Sequence, residues 1–523
     1  MTTPGPSPSQ QNIWRFTGFN LFLLLALSLW IWQQNQPIQL PEPNLGADGK
    51  LQCVSYSPFY NEGQTPLNIN TFISHEQVDR DLAKLSMHFA CVRIYSVGQG
   101  MDYVPEAASK LGLKVYVGAW IGWIKKQNEK ELKLAIEVAN KYPETVKALV
   151  VGNEVLLRGE QSEASMKAYI ERAKAETHVP VTYADVWEFW RKHPALEGSV
   201  DFVTVHILPY WEDQPQPIER AVDHTQNVMN LLARTFSKPI LIGETGWPSI
   251  GRQREGAQPS QLNQALYIRS FLKIADEKKW NYNLIEAVDQ PWKRGLEGTV
   301  GGYWGIFNAS FEPKFPFTGN VAERHDGIFA IYAGVTGLAL FLGWSFVINI
   351  RSKYLLISIA SLGALAGISG FLQLEYLLAA CRSKNEWLTL GSIALLGLTT
   401  LFSIPAYAFN ANKIAKKIVQ ISLTIILLAA LCSNYLLITD GRYRDFAIAL
   451  YVLPVLQISL GLWLLKRIPR PSLFIYKVLA TVLAATSAFC LYKEPTNLLA
   501  IIWLILCILI AWANWPIRKI STI

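Results

Sequence analysis

From Ile328 onward one apolar run follows another, and a series of this length asks for a bilayer as its solvent. The runs read as spans near 328–349, 354–380, 387–408, 418–438, 445–465, 472–492 and 497–515. Each is close to the ~20 residues that cross a hydrocarbon core. An eighth candidate, Ile13 to Trp32 ("IWRFTGFNLFLLLALSLWIW"), lies near the start. It is followed by "QQNQPIQLPEP", which has no small-residue cleavage site, so it reads as a retained signal anchor rather than a cleaved signal peptide. The expected division is a cytoplasmic segment 1–12, an anchor 13–32, an outer domain 33–327, a seven-helix membrane domain 328–516 and a cytoplasmic tail 517–523.

Loop charges orient this arrangement. Alternate loops carry Arg351 and Lys353, then Lys413, Lys416 and Lys417, then Lys466, Arg467 and Arg470, then Arg518 and Lys519, with no acid among them. The intervening loops mix signs: Arg382, Lys384 and Glu386; Asp440, Arg442, Arg444 and Asp445; Lys493 and Glu494. Positive charge gathers on the cytoplasmic side, which puts both termini there and segment 33–327 outside. The expected location is thus the cytoplasmic (inner) membrane, multi-pass, with the outer domain extracytoplasmic. The overall charge of +8 does not indicate nucleic acid. Residues 33–327 hold 31 Lys and Arg against 35 Asp and Glu, so the positive excess belongs to the membrane part.

The outer domain alternates short apolar runs with amphipathic stretches. The runs are "CVSYSP" (53–58), "CVRIYS" (91–96), "KVYVGAW" (114–120), "ALVVGNE" (148–154), "PVTYAD" (180–185), "FVTVHILPY" (202–210), "PILIGETGW" (239–247) and "YNLIEAVD" (282–289). Helices are expected over 75–88, 129–142 and 260–279, where Val78, Leu82 and Leu85, then Leu132, Ile136 and Ala139, then Leu262, Leu266 and Ile268 to Leu272 form stripes. Eight β-then-α units over ~250 residues predict an α/β fold, a (β/α)8 TIM barrel, joined to an all-α membrane domain. A doubly wound open sheet fits less well, because no Gly-rich loop follows the first strand.

Chemistry in such a barrel sits at the C-terminal ends of its strands. Those ends read Tyr95, Trp120, Asn153-Glu154, Asp185, His206 with Tyr210, Glu244 with Trp247, and Glu286 with Asp289. Glu154 closes the fourth strand and Glu244 the seventh, so both can point into one mouth from opposite sides. Two carboxylates flanking a glycosidic bond suffice to cleave it, one protonated and one ionised. A lone strand-end Glu is usually a salt-bridge partner. Here Gly152 permits close backbone approach, Asn153 offers an amide to a sugar hydroxyl, and Thr245-Gly246-Trp247-Pro248 sets an indole beside Glu244.

"GNEV" (152–155) and "GETGWPS" (243–249) resemble glycoside hydrolase family 17, the β-1,3-glucanase family. The resemblance spans roughly residues 51–315. It implies a retaining (β/α)8 enzyme with Glu154 as acid/base and Glu244 as nucleophile. "VRIYS" (92–96) and "LPYW" (208–211) are similar to the family's Arg-Ile-Tyr and Tyr-Pro-Tyr segments, which implies Tyr95 and Tyr210 as cleft residues. "YWGIF" (303–307) resembles its closing Phe-Gly-Leu-Phe. The chain departs at "AVDQPWKRGLEG" (287–298), where Gln290 stands in place of the family's acid; Lys293 and Glu297 correspond to its supporting Lys and Glu. The polytopic form resembles a bacterial branch related to β-glucan synthases and transglycosylases.

The implied partners are a β-glucan or oligosaccharide and the lipid bilayer, with no cofactor. Trp120, Trp123, Trp187, Trp211, Trp247, Trp292 and Trp304 are candidate stacking platforms, of which two or three are expected to line the cleft. His206 reads as a satisfied histidine near the mouth, not a metal ligand, and Arg93 as a structural residue able to hold a barrel carboxylate. No Cys/His spacing suggests zinc. Cys53 and Cys91 fall on the first two strands; an oxidising compartment permits a disulfide, and two buried free thiols are the reading taken. Cys381, Cys432, Cys490 and Cys507 read as small apolar residues in or beside spans. "SLGALAGISG" (361–370) has small-xxx-small spacing for close helix packing. Glu375, well inside a span, is close enough to its outer end to snorkel.

Three other functions fit less well. A transporter needs polar groups deep in several spans, a non-catalytic glucan-binding module leaves the intact Glu pair unexplained, and synthesis from a nucleotide sugar needs a cytoplasmic acidic cluster. Hydrolysis outside the membrane is the primary expectation, and glucan transfer or branching is the alternative.

Overall fold

The computed structural model describes residues 8–45 and 49–516. Arg518, Lys519, the expected tail 517–523 and most of the expected segment 1–12 lie outside the described residues. The chain divides into two compact units. One comprises Ile38–Ile250 and Ala257–Val321; the other comprises the chain up to Pro37, Gly251–Gly256 and the chain from Ala322.

The first unit is a closed barrel of eight parallel strands. We label them β1 (Leu51–Ser55), β2 (Phe89–Arg93), β3 (Lys114–Ala119), β4 (Val146–Asn153), β5 (Val181–Val186), β6 (Val203–His206), β7 (Ile240–Thr245) and β8 (Asn281–Leu284). Each strand pairs with its sequence neighbour, and β8 closes onto β1 through Cys53↔Asn283 and Val54↔Leu284. The strands are apolar runs because both faces are buried. Val54, Val92, Leu149, Val151, Val203 and Ile242 join the large core shared with the helices. Their alternating neighbours Cys53, Cys91, Tyr116, Ala148, Val150, Ala184 and Leu241 form a separate, smaller core, as inward positions of a barrel must.

The expected helices form at His75–Leu85, Lys125–Lys141 and Gln261–Lys278. Ser74 caps the first, and Val78, Leu82 and Leu85 are its buried stripe. The second begins four residues before the predicted 129. Its first turn is polar and carries no periodic signal; Asn128 anchors it by exchanging two 2.8 Å hydrogen bonds with the backbone of Gly122. A short antiparallel pair, Ile38–Gln39 with Asn320–Val321, joins the entry and exit of the barrel chain.

One expectation is corrected here. Cys53 and Cys91 are a disulfide, not two free thiols. They are direct register partners on neighbouring parallel strands, both facing inward, with Cα atoms 4.5 Å apart. Sequence spacing alone does not reveal that register.

In the second unit, helices occupy all eight expected spans. Six are long and apolar enough to cross a membrane: Gln10–Gln34, Gly327–Val347, Lys353–Ala380, Lys384–Asn410, Lys413–Thr439 and Ile475–Lys493. Ile448–Leu464 and Leu498–Asn514 are apolar but shorter. The small-residue spacing is used as expected: a side chain at Gly337 would meet the Gly363 carbonyl at 2.2 Å and Gly367 Cα at 2.8 Å. Glu375 is ion-paired, 2.6 Å from Arg324, which also holds Asp326 at 2.7 Å. Segment Gly251–Gly256 is fastened within this unit. Arg252 pairs with Glu494, the Asn497 amide donates to the Gln253 carbonyl at 2.8 Å, and the Thr496 hydroxyl donates to Glu255 at 2.5 Å. Cys381, Cys490 and Cys507 are buried, whereas Cys432 is exposed.

The disulfide closes a loop of 38 residues, for which chain-entropy arguments give about 2–4 kcal/mol. Cys91→Ser is expected to lower the thermal midpoint of the barrel transition accordingly, and thiol titration of the unfolded wild-type chain to find four reactive cysteines without reductant and six with it.

Candidate active site

The mouth of the barrel is organised around one buried cation. Arg93, the last residue of β2, is 1% exposed. Its Nη1 donates to the Gly243 carbonyl at 2.8 Å and to Glu244 Oε1 at 3.3 Å, and its Nη2 donates to Asn153 Oδ1 at 2.5 Å. It therefore ties β2 to the ends of β4 and β7. Gly243 makes room for it, since a side chain there would stand 2.5 Å from Thr204 and 3.4 Å from the guanidinium.

Glu244 is nearly buried and held on one oxygen. Tyr95 Oη lies 2.8 Å from Oε1 and 2.9 Å from Ser55 Oγ. A phenol has a single proton, and burial together with the charge of Glu244 raises the Tyr95 pKa, so that proton stays on the ring oxygen. The carboxylate can only accept, so Tyr95 donates to it. Ser55 then donates to Tyr95 while accepting from the Asn283 amide at 2.8 Å. Among the described residues, no donor is paired with Oε2.

Glu154 follows β4 through a tight backbone turn. Gly152 has φ +84° and Glu154 itself φ +53°, a conformation that a residue with a Cβ rarely adopts. Its amide donates to the Ala184 carbonyl at 2.8 Å, and the turn is gripped by Asp185, which accepts from the Leu156 and Leu157 amides and from Tyr183. Asp185 is wholly buried and spent on this turn. Glu154, by contrast, keeps 23% of its side chain exposed.

His206, at the end of β6, lies between the two acids. Nδ1 is 3.0 Å from Glu154 Oε1; Nε2 is 3.4 Å from Arg93 Nη1 and 3.6 Å from Glu244 Oε1. Arginine is only a donor, so Nε2 accepts and the proton sits on Nδ1, directed at Glu154. Burial would push the Glu154 pKa up. The hydrogen bond from His206 and the charges of Arg158 and Arg93 outweigh it and hold this carboxyl below its ordinary value. Donor atoms of Glu154, His206 and Glu244 all lie within 4.8 Å of one another, a spacing that could also hold a small cation. Arg93 already supplies positive charge at that point.

A third carboxylate lies beside this pair. Glu286, just past β8, is wholly buried and salt-bridged to Lys293 at 2.9 Å. Burial pushes it up to about 7, against the pull of Lys293. Gln290 donates its amide to Glu286 and accepts from the Trp292 indole at 2.8 Å. An acid at position 290 would face Glu286 as a like charge, whereas the amide is a donor. Glu297 is raised by burial, with Lys293 opposing and the charges of Glu154 and Glu244 adding to it, which marks all four as one electrostatic group.

With this geometry in view, the sequence profile of the BtgE/BtgC glycoside hydrolase domain matches residues 53–305. This match supports a glycoside hydrolase family 17, β-1,3-glucanase-like family for the barrel. A probable β-glucosidase btgE of Aspergillus flavus is 27% identical over 271 residues, covering 50% of this chain and 43% of that protein. The chain thus spans less than half the length of that relative. A glucan 1,3-β-glucosidase of Arthroderma benhamiae is 27% identical over 276 residues, 47% of this chain and 86% of that protein. The crystal structure of a family 17 β-1,3-glucanosyltransferase from Rhizomucor miehei is 24% identical, covering 51% of this chain and 96% of that one, with a TM-score of 0.45.

Within this BtgE/BtgC-type barrel, the structure brings Tyr95, Asn153, Glu154, His206 and Glu244 together, with Lys293 and Glu297 at their edge. Trp120 is 41% exposed and stacked at 4.6 Å by Arg158, which reaches Glu154 at 3.9 Å. Tyr210 and Trp247 do not offer open ring faces: both are wholly buried and pack on each other, with Tyr210 also against Trp304. Tyr210 is expected as a cleft residue and Trp247 as a stacking platform; here they pack behind the strand ends, and Trp247 donates its indole to the Gln258 carbonyl at 3.0 Å. Arg93 holds a barrel carboxylate as its place on a buried strand implies, and Glu286, expected at a strand end, gains partners in Lys293 and Gln290 that its position alone does not reveal.

Removing one partner of a buried pair leaves an uncompensated charge, at a cost of about 3–5 kcal/mol. Arg93→Met is therefore expected to destabilise the barrel by that amount in chemical denaturation. Arg93→Met combined with Glu244→Leu should recover a large part of the loss.

Proposed function

We propose that the barrel cleaves β-1,3-glucan-type bonds with retention of configuration, Glu244 acting as nucleophile and Glu154 as acid/base. The observation that carries this reading is the pair of carboxylates, oxygen to oxygen within 4.8 Å, in unlike surroundings. Retaining glycosidases hold theirs ~5–5.5 Å apart, and inverting ones leave ~6.5–9.5 Å for a water. The names of the similar proteins point to the same substrate class.

The proposed steps follow from how the two acids are held. Tyr95 and Arg93 clamp Glu244 through Oε1, which leaves Oε2 to attack the anomeric carbon. Glu154 gives its proton to the departing glycosidic oxygen, and a glycosyl ester forms on Glu244. The Glu154 carboxylate then takes a proton from the incoming hydroxyl, whose oxygen displaces Glu244 with net retention. Water as acceptor gives hydrolysis; a glucan hydroxyl gives transfer. One observation favours transfer. The acid/base lies on the leaving-group side, where Trp120 stacks on the Arg158 that reaches Glu154; Trp120 and, three residues on, Trp123 are 41% and 69% exposed, as sugar-stacking acceptor residues would be.

The Cys53–Cys91 disulfide and the acid-free alternate loops support a barrel outside the cytoplasmic membrane, anchored by the apolar helices. Protease added to intact spheroplasts should then digest the barrel and spare the 466–470 loop; the reverse pattern would invert the topology.

With full-length protein in detergent and β-1,3-gluco-oligosaccharides, Glu244→Ala is expected to lose on the order of 10⁴-fold in turnover and to yield an α-glycosyl azide when azide is supplied. Inverted product, or no turnover by the wild type on any β-glucan, would sink this reading. Trp123→Ala is expected to lower the ratio of lengthened to shortened products.

The pH dependence follows from Glu154. It must be protonated to act, and its pKa is held low, so kcat/KM should be greatest in the acidic range and fall as pH rises through that pKa. His206→Leu removes a hydrogen bond to the charged form and is expected to move this limb to higher pH.

A further inference from the structure

Two of the acid-free loops noted in the sequence meet at one cavity within the helical unit. The cavity is about 700 Å³ and is lined by Arg15, Lys416, Lys466 and Arg470, together with Tyr407 and Trp463. No acidic side chain lines it. Among the described residues, none of the four cations is paired with a carboxylate.

Helix electrostatics does not account for them. Arg15 is the sixth residue of Gln10–Gln34 and Lys416 the fourth of Lys413–Thr439. Both stand near helix N-termini, where the macrodipole disfavours positive charge. A general excess of cytoplasmic Lys and Arg explains charge on this side but does not require it to surround a cavity.

The walls are held in place. Lys466 adopts φ +55°, and its amide donates to the Trp463 carbonyl at 2.8 Å. Tyr407 donates to the Arg467 carbonyl at 2.7 Å, which fixes the loop from the other side. Arg470 donates to the Trp512 carbonyl at 3.2 Å and stacks on its indole at 5.1 Å. Such fixing holds the Lys466 backbone and Arg470 at a space that Arg15 and Lys416 also line, a gathering of like charges that is unfavourable until an anion enters.

The geometry points to a binding site for a phosphate group, carried by an anionic lipid whose headgroup enters the cavity. The lipid source is favoured because Trp463 is 54% exposed at the end of an apolar helix, where an indole meets the headgroup layer. Basic pockets between membrane helices recognise phosphate headgroups in this way.

The test uses the full-length protein in neutral detergent. Binding of short-chain phosphatidylglycerol, phosphatidylcholine and inorganic pyrophosphate is measured by calorimetry, for wild type and for Lys416→Gln with Lys466→Asn. Asparagine tolerates the left-handed backbone at 466. Circular dichroism and size exclusion check the fold, and Arg15→Gln serves as an independent variant if the double one fails to assemble. Phosphatidylglycerol is expected to bind at least about 10-fold more tightly than phosphatidylcholine, and the double variant to lose at least about 10-fold of that affinity. Pyrophosphate binding that the variant also loses, without lipid preference, would keep the phosphate site and assign it to a soluble ligand. Equal affinity for both lipids with no pyrophosphate binding, or affinities unchanged in the variants, would overturn the proposal.

Discussion

The guanidinium of Arg93 is the constraint on which the mouth of the barrel depends. It is a permanent charge, almost fully removed from water, and that placement is offset by the acceptors met by its two Nη atoms. They reach Glu244, Asn153 and the Gly243 carbonyl, which come from strands far apart in the chain. One side chain thereby sets the spacing of β4 and β7 at the end where chemistry is proposed. The same charge gives the nearly buried Glu244 a partner at 3.3 Å, and a buried carboxylate without one would be costly.

The unlike surroundings of the two acids follow from this arrangement. Glu244 has one oxygen held by donors and is closed to solvent, a setting that fits the nucleophile proposed for it better than a proton shuttle. Glu154 is partly open, sits on a turn that its own backbone does not favour, and faces the proton-bearing nitrogen of His206. An open, hydrogen-bonded carboxyl can exchange protons with an acceptor. A clamped one cannot do so without losing its position.

Much of this was legible in the sequence, and the reasons are local. Strand ends were visible because apolar runs stop abruptly at Glu154 and Glu244, and motifs around those residues carried the family resemblance. The eight apolar helices were visible because hydropathy is additive along a chain. What stayed hidden depends on register or side-chain direction. Cys53 and Cys91 are bridged because their strands pair in register at those two residues, which no spacing encodes. Trp247 follows a catalytic-looking Glu yet turns its ring inward, and Tyr210 packs behind it. Glu286 was seen as a strand-end acid, but its link to Lys293 and Gln290 depends on how the following loop folds back.

The hexapeptide Gly251–Gly256 has a consequence for how the protein can be divided. The barrel is continuous in space but not in sequence, since the chain leaves it six residues beyond the strand bearing Glu244 and then returns. A gene fragment encoding residues 38–321 would carry that hexapeptide without Glu494, Thr496 and Asn497, the groups that fasten it. The loop following the seventh strand would keep its covalent ends in the barrel but lose these anchors on Arg252, Gln253 and Glu255. Catalytic constants measured on such a fragment would describe a different loop ensemble from that of the intact chain, even if every strand of the barrel formed.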